Sequence, residues 1–273
     1  MPLAISDLIH PTAVIGPEAD VAHDVQVGPF VIIDGPVTIG PGCVIEGHAC
    51  LTGPLTIGRD NFIGHGAVLG KSPQHRGYQG ESTSLRIGDG NVIREYVTIH
   101  RGTPQGGGET WIGDNNMFMV NAHVGHDARV GSGVTLVNGA LVAGHVELFD
   151  GCILSGYAAI QQRVRVGRLA MVGGLGSSTK DIPPFILHQG HNCVSGLNIV
   201  GMRRSGMSAQ SIASLREAFR MLYQEGRMLT AALERIEADL GHVAEVAEFV
   251  TFIRASATGI NPARASDRRD RTF

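Results

Sequence analysis

Aromatic residues, lysine and cysteine are all scarce in this sequence. Aromatic side chains make up 5% of its 273 residues, and Lys71 and Lys180 are the only lysines. The four cysteines contain no CxxC pair and are too few for the disulfide framework of a small secreted domain. The composition therefore excludes a disulfide-rich fold and predicts a narrow core filled by aliphatic side chains, with Cys43 and Cys152 among them.

The sequence also has no long apolar run and no excess of positive charge. The net charge of -3 and the isoelectric point near 6.4 give no electrostatic reason to expect nucleic acid as a partner. No apolar stretch reaches the ~20 residues that span a bilayer, so no membrane span is predicted. The initial segment MPLAISDLIH lacks a basic region followed by an apolar one, so we expect no signal peptide and a cytoplasmic protein.

Glycine is abundant, and the sequence is built on a six-residue repeat. From Ile9 to Leu69 and from Ile112 to Val172, an aliphatic or aromatic residue recurs every six positions. Helices and strands have periods of about 3.6 and 2, so this period indicates a parallel β-helix of hexapeptide repeats. Three hexapeptides make one triangular coil of about 18 residues, so residues that far apart lie one above the other.

Two segments interrupt the repeat. Residues 71–84 and 103–110 are polar and rich in turn-forming residues, and the repeat continues between them from Ile87 to Ile99. We read both segments as loops that project from the β-helix. Loops that interrupt a regular scaffold are disproportionately functional.

The repeat stops after the paired prolines Pro183 and Pro184. We therefore predict an all-β solenoid over residues 1–187 and a linker with a small C-terminal α-helical domain over residues 188–273. The helix predictions are a first helix capped by Ser208 and ending at Gly226, a second capped by Thr230 and ending at Leu240, and a third from Val243 to Ala255. The tail from Asn261 onward has no apolar pattern and is expected to be mobile.

A polar cluster interrupts the aliphatic pattern of the second block. His123, His126 and Asp127 lie on one coil, and His145 follows Asp127 by one coil of 18 residues. Gly144 stands in the same relation to His126. The repeat therefore predicts that these side chains lie close together.

Several short segments resemble one family of hexapeptide proteins. They are residues 93–103 (IREYVTIHRGT), 121–127 (NAHVGHD), 143–145 (AGH), 181–184 (DIPP) and 189–190 (QG). Together they make the chain similar to the UDP-N-acetylglucosamine O-acyltransferases that begin lipid A biosynthesis, and the resemblance covers nearly the whole chain. It implies a left-handed β-helix, a homotrimer, acyl carrier protein as donor, a UDP-sugar as acceptor, and no metal or cofactor.

The chemistry implied by this resemblance suits the polar cluster. Transfer of an acyl group from a thioester to a hydroxyl needs a base, and histidine is well suited because its pKa lies near neutrality. The resemblance makes His126 that base, with Asp127 as the carboxylate that orients imidazole rings and stabilises imidazolium. It makes the backbone N–H of Gly144 the donor to the oxyanion.

The resemblance also implies a set of substrate-binding residues. His123 and His145 match positions that contact donor or nucleotide sugar, and Gly174 matches a position that controls the depth of the acyl groove. Asn198 and Arg204 match positions near the uridine and phosphates. The remaining implied contacts are His75, Arg76, Gln161 and Gln162.

The sequence departs from the family pattern in the implied acceptor pocket. The departures are His75, Gly77, Gln161, Asn192, Val200 and Ser205, with Arg76 as a substitute cation. One hypothesis is therefore a variant that acylates another nucleotide sugar, such as a 3-amino analogue. An unchanged acceptor held by substitute contacts is the other.

Other classes of function remain open on sequence alone. Three histidines also suit a zinc site with one open position, and zinc-dependent hydro-lyases occur on this β-helix. A smaller acetyl-CoA enzyme and a catalytically silent scaffold are further alternatives. Arginines at 163, 165, 168, 216 and 220 predict a basic face for an acidic carrier protein, or an ordinary solvated surface.

Overall fold

The computed structural model describes residues 8–263 and contains 27 short β-strands followed by four α-helices. The strands form three parallel sheets that make the faces of a three-sided prism. The predicted mobile tail lies outside the described residues from position 264 onward. No helix in the described part of the chain is long and apolar enough to cross a membrane.

Each sheet takes every third strand, so successive strands lie on successive faces. Sheet 1 contains β1 (Val14–Ile15), β4 (Ile32–Asp34), β7 (Cys50–Thr52), β10 (Val68–Lys71), β13 (Thr98–His100), β16 (His123–Val124), β19 (Leu141–Val142), β22 (Ala159–Ile160) and β25 (Ser177–Ser178). Sheet 2 contains β2 (Asp20–Val21), β5 (Val37–Ile39), β8 (Leu55–Ile57), β11 (Ser84–Ile87), β14 (Glu109–Ile112), β17 (Arg129–Val130), β20 (Glu147–Leu148) and β23 (Arg165–Val166). Sheet 3 contains β3 (Gln26–Val27), β6 (Val44–Ile45), β9 (Phe62–Ile63), β12 (Val92–Ile93), β15 (Met117–Phe118), β18 (Thr135–Leu136), β21 (Ile153–Leu154), β24 (Met171–Val172), β26 (Ile186–His188) and β27 (Val194–Leu197).

The repeated aliphatic residues fill the interior of the prism, as predicted. Val124 pairs with Val142, which pairs with Ile160, and each is at most 2% exposed. Cys43 and Cys152 are also fully buried, which confirms their prediction as core residues. Each buried aliphatic side chain contributes about 1.5–3 kcal/mol through removal of apolar surface from water.

Both interruptions of the repeat leave the prism at one corner, between sheets 1 and 2. Residues 72–83 connect β10 to β11, and residues 101–108 connect β13 to β14 through a 3-10 turn at Pro104–Gly106. The strands therefore extend slightly into the predicted loop boundaries. The polar cluster of the next coils lies at this same corner, between β16 and β17 and between β19 and β20.

Three buried asparagines connect the coils across both insertions. Asn61 Oδ1 accepts from the backbone N–H and side-chain amide of Asn91 at 2.8 and 3.0 Å. Asn91 Oδ1 accepts from the N–H of Asn116 at 3.0 Å, and Asn116 Oδ1 accepts from the N–H of Val134 at 2.7 Å. This ladder keeps the coils in register at the corner between sheets 2 and 3 while the opposite corner varies in length.

The C-terminal part begins as a continuation of the solenoid. Strand β26 crosses position 187, and β27 pairs with it antiparallel, so sheet 3 continues to Leu197. Helix α1 (Ile199–Arg204) follows, within the predicted linker. Helices α2 (Ala209–Tyr223), α3 (Leu229–Leu240) and α4 (Ala244–Arg254) complete the predicted helical domain.

Two details of this part differ from the sequence predictions. Ser208 caps α2 as predicted, but Thr230 lies inside α3, whose cap position is Met228. The expected mobility from Asn261 onward is wrong for its first residues. Asn261 is fully buried, and its amide donates to Ser178 Oγ at 2.7 Å, because the chain folds back onto the end of the solenoid.

The Asn91→Ala variant tests the asparagine ladder. We expect its free energy of unfolding to fall by about 1–3 kcal/mol, since the change leaves the Asn116 N–H buried without a partner and removes one of the two donors to Asn61 Oδ1. Chemical denaturation followed by circular dichroism measures the loss. Asn138→Ala, at an exposed site, is the matched control, and equal stability of the two variants would contradict the role of the ladder.

Candidate active site

The centre of the site is a buried histidine–aspartate pair at the corner between sheets 1 and 2. His126 and Asp127 are each 5% exposed, and His126 Nδ1 lies 2.6 Å from Asp127 Oδ2. An ionised carboxylate only accepts hydrogen bonds, so Nδ1–H is the donor, and in the neutral tautomer of the ring the lone pair lies on Nε2. The arrangement gives His126 the tautomer that a general base needs.

The insertion at 101–108 supplies the other partners of the Asp127 carboxylate. The backbone N–H of Thr103 donates to Oδ1 and its hydroxyl donates to Oδ2, both at 2.7 Å. Thr110 Oγ1 accepts from the backbone N–H of Asp127 at 2.7 Å. Sequence reasoning missed both threonines, although Thr103 ends the segment that carries the family resemblance.

Gly144 lies directly against the His126 ring, one coil above it. A Cβ at position 144 would come within 2.6 Å of His126 Cε1 and 2.7 Å of Nε2. Only glycine leaves the imidazole in this position. Among the described residues, the Gly144 N–H donates to no other backbone group, whereas the N–H of His145 donates to the His126 carbonyl at 2.9 Å.

Two further histidines surround the His126 ring. The centroid of the His145 ring lies 5.1 Å from it, and that of His75, on the 72–83 loop, lies 5.4 Å from it, both edge to face. His145 Nε2 is 3.6 Å from Asp127 Oδ2. Burial lowers the pKa of His145, and the nearby Asp127 charge partly offsets this effect.

Arg101 holds the 72–83 loop over the pair. Its guanidinium donates to the carbonyls of Gly53 and Gly70 at 3.0 and 3.2 Å and to Ser72 Oγ at 3.2 Å. It also donates to the Tyr78 hydroxyl at 3.0 Å from Nη2. The loop carrying His75 is thus fastened to the solenoid at several points.

An apolar groove of about 490 Å³ extends from His126 along the outer face of sheet 1. Its floor contains Leu141, Val142, Ala143, Ala159 and Ile160. Its polar residues are Gln74, His100 and His123 near His126, and Gln161, Gln162, Ser177, Ser178 and Thr179 toward the other end. The groove is shaped for an apolar chain with polar groups at each end.

The histidines at the groove entrance are neutral near pH 7. Burial, with the nearby His123 and His126, lowers the pKa of His100 to about 4. Burial and the proximity of His126 also lower the pKa of His123, whose Nδ1 hydrogen-bonds Thr98 Oγ1 at 2.7 Å. His100 was not among the sequence predictions.

A second cavity, of about 500 Å³, lies on the sheet 2 side of the same corner. Its lining includes Asp127 and His145, together with Arg129, Glu147 and Arg163. Consecutive residues line the two cavities: His126 and Gly144 line the groove, and Asp127 and His145 line the second cavity.

His126, Asp127 and His145 are also the group of described residues whose geometry could hold a metal ion. Their ligand atoms lie within 4.8 Å of one another. Asp127 Oδ2, however, already accepts from Thr103 and His126, so the carboxylate oxygen facing the cluster is engaged. The donor set fits a hydrogen-bonded catalytic pair better than an open zinc site.

The structure brings most predicted site residues together at this corner. His75, His123, His126, Asp127, Gly144, His145, Gln161 and Gln162 contact each other or line the two cavities. Arg76 is exposed on the 72–83 loop. A Cβ at Gly174, just before β25, would meet nothing closer than 3.7 Å, so the space there is open.

Asn198 and Arg204 lie elsewhere, at the corner between sheets 2 and 3. Asn198 caps α1, accepting from the Gly201 N–H at 3.0 Å and donating to the Leu169 carbonyl at 2.9 Å. Arg204 is exposed in the last turn of α1. Within one chain neither residue lines the cavities next to His126.

Three of the five arginines predicted to form a basic face are paired with acids. Arg165 binds Asp181 at 2.8 Å, and Arg168 binds Glu248 at 2.6 Å. Arg220 lies between Glu217 and Glu225. Arg163 and Arg216 have no ion-pair partner among the described residues.

The lowered pKa of His100 predicts a pH dependence of stability. Unfolded histidine titrates near pH 6.5, so between about pH 6.5 and 4 the unfolded chain binds a proton that folded His100 does not. The free energy of unfolding should therefore fall as the pH drops, by about 2 kcal/mol from this group between pH 7.5 and pH 5. Chemical denaturation at about pH 7.5 and at about pH 5 measures this change in the free energy of unfolding.

The His100→Leu variant should flatten this pH dependence, while His242→Leu, at an exposed histidine, should leave it unchanged. An identical slope in wild type and His100→Leu would show that His100 does not contribute.

Comparisons with known proteins agree with this geometry. A family model described as UDP-N-acetylglucosamine O-acyltransferase, domain 2, matches residues 181–261. A bacterial transferase hexapeptide model of six repeats matches residues 109–144. The acyl-[acyl-carrier-protein]–UDP-N-acetylglucosamine O-acyltransferase of Halorhodospira halophila is 45% identical over 253 residues, covering 92% of this chain and 98% of that protein.

Solved structures extend the similarity to the whole fold. The UDP-N-acetylglucosamine acyltransferase of Francisella novicida is 34% identical with a TM-score of 0.91, covering 94% of this chain and 95% of that one. The enzyme of the same name from Bacteroides fragilis is 41% identical with a TM-score of 0.89, covering 92% and 99%. These matches confirm the predicted left-handed β-helix with a small helical domain. The chain belongs to the UDP-N-acetylglucosamine O-acyltransferase family.

Proposed function

We propose that this acyltransferase moves a 3-hydroxyacyl group from acyl carrier protein to the 3-hydroxyl of UDP-N-acetylglucosamine, the first step of lipid A biosynthesis. The observation that carries the proposal is the buried His126–Asp127 hydrogen bond of 2.6 Å, with Gly144 packed against the same ring. The family membership of the chain favours acyl transfer over the zinc hydro-lyase and scaffold hypotheses.

In this mechanism His126 acts first as base and then as acid. Its free Nε2 takes the proton of the sugar hydroxyl as the oxygen attacks the thioester carbonyl. Asp127, bonded to Nδ1–H, stabilises the imidazolium that forms. When the tetrahedral intermediate collapses, the C–S bond breaks and the imidazolium returns the proton to the departing thiolate, which leaves the carrier with a free thiol.

The Gly144 N–H is our candidate for the oxyanion donor. It makes no backbone hydrogen bond among the described residues and lies beside the base. Loss of such a donor typically lowers the rate by about 100–1,000-fold. His123 and His145, whose pKa values are both lowered by burial, are proposed to contact the substrates on either side of the ring.

The apolar groove along sheet 1 suits the acyl chain, and we propose that Gly174 limits its depth. The groove alone does not specify chain length. We propose Gln161 and Gln162, at its polar margin, and the 72–83 loop with His75 and Arg76, as acceptor contacts. No metal or cofactor has a step in this mechanism.

We further propose that the chain acts as a homotrimer. The outer face of sheet 1 exposes Val14 and Ile32, and the corner between sheets 3 and 1 exposes Tyr157 and Leu175 at 66% and 79%. The outward residues of sheet 2 are instead mostly polar or charged: Asp20, Thr38, Thr56, Arg86, Trp111, Arg129, Glu147 and Arg165. These exposed apolar side chains lie at both ends of the solenoid, and exposed apolar patches mark protein interfaces.

A trimer would also explain the positions of Asn198 and Arg204. Their corner, between sheets 2 and 3, is remote from His126 within one chain, so only a neighbouring copy could bring these residues to the site. Arg204 and its neighbour Arg203 offer planar donor groups suited to a diphosphate. We propose that they complete the acceptor site of the adjacent subunit.

We propose that basic side chains of this chain dock the acidic carrier protein. Arg163 and Arg216, which carry no ion pair in the described structure, are the strongest candidates for contacts with an acidic carrier. All four cysteines are free, which fits a reducing compartment, and we propose the cytoplasm.

The first test is acyl transfer from 3-hydroxyacyl carrier protein to UDP-N-acetylglucosamine and, separately, to its 3-amino analogue. We expect turnover of the plain sugar and a fall in kcat of about 100–10,000-fold in His126→Ala, because the base is lost. His242→Ala is the matched control at an exposed histidine.

Each other outcome of this assay has a definite meaning. Turnover of the amine alone would make the acceptor-pocket departures specificity determinants and overturn the proposed acceptor. Activity with neither acceptor, in a folded protein, would overturn the proposed reaction.

Charged residues introduced at the corner between sheets 3 and 1 test the trimer. Tyr157→Glu combined with Leu175→Glu should shift the sedimentation coefficient from that of a trimer to that of a monomer, because each burial of a charge at the interface is costly. Thr56→Glu, on the polar outer face of sheet 2, is the matched control. A wild-type protein that sediments as a monomer would contradict the proposal.

A further inference from the structure

Thr103 makes more contacts with the catalytic carboxylate than any other residue described here, and neither the sequence motifs nor the proposed mechanism gives it a role. We propose that Thr103 is a positioning residue, whose hydroxyl orients the Asp127 carboxylate and thereby sets the basicity of His126. The inference rests on the proposed function of His126 as general base and deepens it.

The geometry distinguishes Thr103 from an ordinary neighbour. Its N–H donates to Oδ1 and its hydroxyl to Oδ2, each at 2.7 Å, so one residue engages both carboxylate oxygens. Two donors anchored on one backbone define the plane of the carboxylate. His126 Nδ1 donates to the same Oδ2 at 2.6 Å, so the plane set by Thr103 also sets the direction of the imidazole.

The surrounding loop is shaped to keep Thr103 in place. Thr103 is 1% exposed, and its carbonyl accepts from the N–H groups of Gly106 and Gly108 at 3.0 and 2.9 Å, which closes the loop into a tight turn. A side chain at Gly106 would overlap the Asp127 carboxylate. The insertion at 101–108 therefore packs its backbone directly against the Asp127 carboxylate.

The Thr103 hydroxyl also affects the charge on the Asp127 carboxylate. A donor on Oδ2 stabilises the carboxylate and weakens its pull on an imidazolium formed at His126. Removing the hydroxyl leaves Oδ2 more negative, so the imidazolium becomes more stable and the base is protonated at higher pH. The titratable groups that face the His126 ring or lie near it are Asp127, His145, His75, His123 and His100.

The Thr103→Val variant removes the hydroxyl and keeps the shape and the backbone N–H. We expect kcat for acyl transfer to fall about tenfold, with the KM values for donor and acceptor near those of wild type. The acid limb of the pH profile of kcat/KM should move to higher pH by about half a unit to one unit. Thr103→Ser, which restores the hydroxyl, should restore both.

Thr110→Val is the matched control, because the Thr110 hydroxyl contacts the Asp127 backbone N–H and not the carboxylate. It should leave the acid limb at its wild-type position even where stability falls. Thr103→Ala repeats the test with a smaller side chain if Thr103→Val melts below the assay temperature.

An acid limb that stays in place in both Thr103→Val and Thr103→Ala, with transfer otherwise intact, would overturn this inference. Equal displacement of the limb in Thr110→Val would also overturn it, since the effect would then be a general loosening of the corner. Absence of acyl transfer in wild type would instead contradict the proposed function.

Discussion

The vertical register of the β-helix coils is the constraint on which the rest of the structure depends. Parallel pairing aligns Val124 with Val142, so the corner residues that follow them are aligned as well. Asp127 and His145 occupy equivalent corner positions with φ of 60° and 59°, and His126 lies against Gly144. A slip by one residue would send buried aliphatic side chains outward, so core packing holds the catalytic geometry in place.

The two insertions lengthen two coils without disturbing this register. Leu69 pairs with Ile99, 30 residues on, and Ile99 pairs with Val124, 25 residues on, although the regular spacing from Val124 to Val142 is 18. The extra residues all leave at the corner that carries His126, while the asparagine ladder continues at another corner. The scaffold thus tolerates variation on the edge where substrate specificity is needed.

The sequence predicted the fold and the central cluster because both follow from periodicity. The six-residue repeat specified which side chains are buried, and the 18-residue coil placed Asp127 below His145. Thr103, Thr110 and Arg101 could not be found in this way. They act through loops, whose path depends on hydrogen bonds between residues far apart in sequence, such as Arg101 with Gly53. The cap of α3 was missed for a related reason: packing of its apolar face, and not Thr230, determines where the helix begins.

The buried charge of Asp127 explains why the 101–108 insertion has its particular shape. A carboxylate removed from water is costly unless hydrogen bonds replace its hydration. At the solenoid corner the His126 ring donates one hydrogen bond and His145 Nε2 lies 3.6 Å away, so the remaining donors come from outside the repeat. Thr103 supplies two of them, and the glycines that follow allow the backbone to approach the carboxylate closely. The regular coil therefore positions Asp127 next to His126, and the irregular loop provides the hydrogen-bond donors that stabilise the buried Asp127 carboxylate.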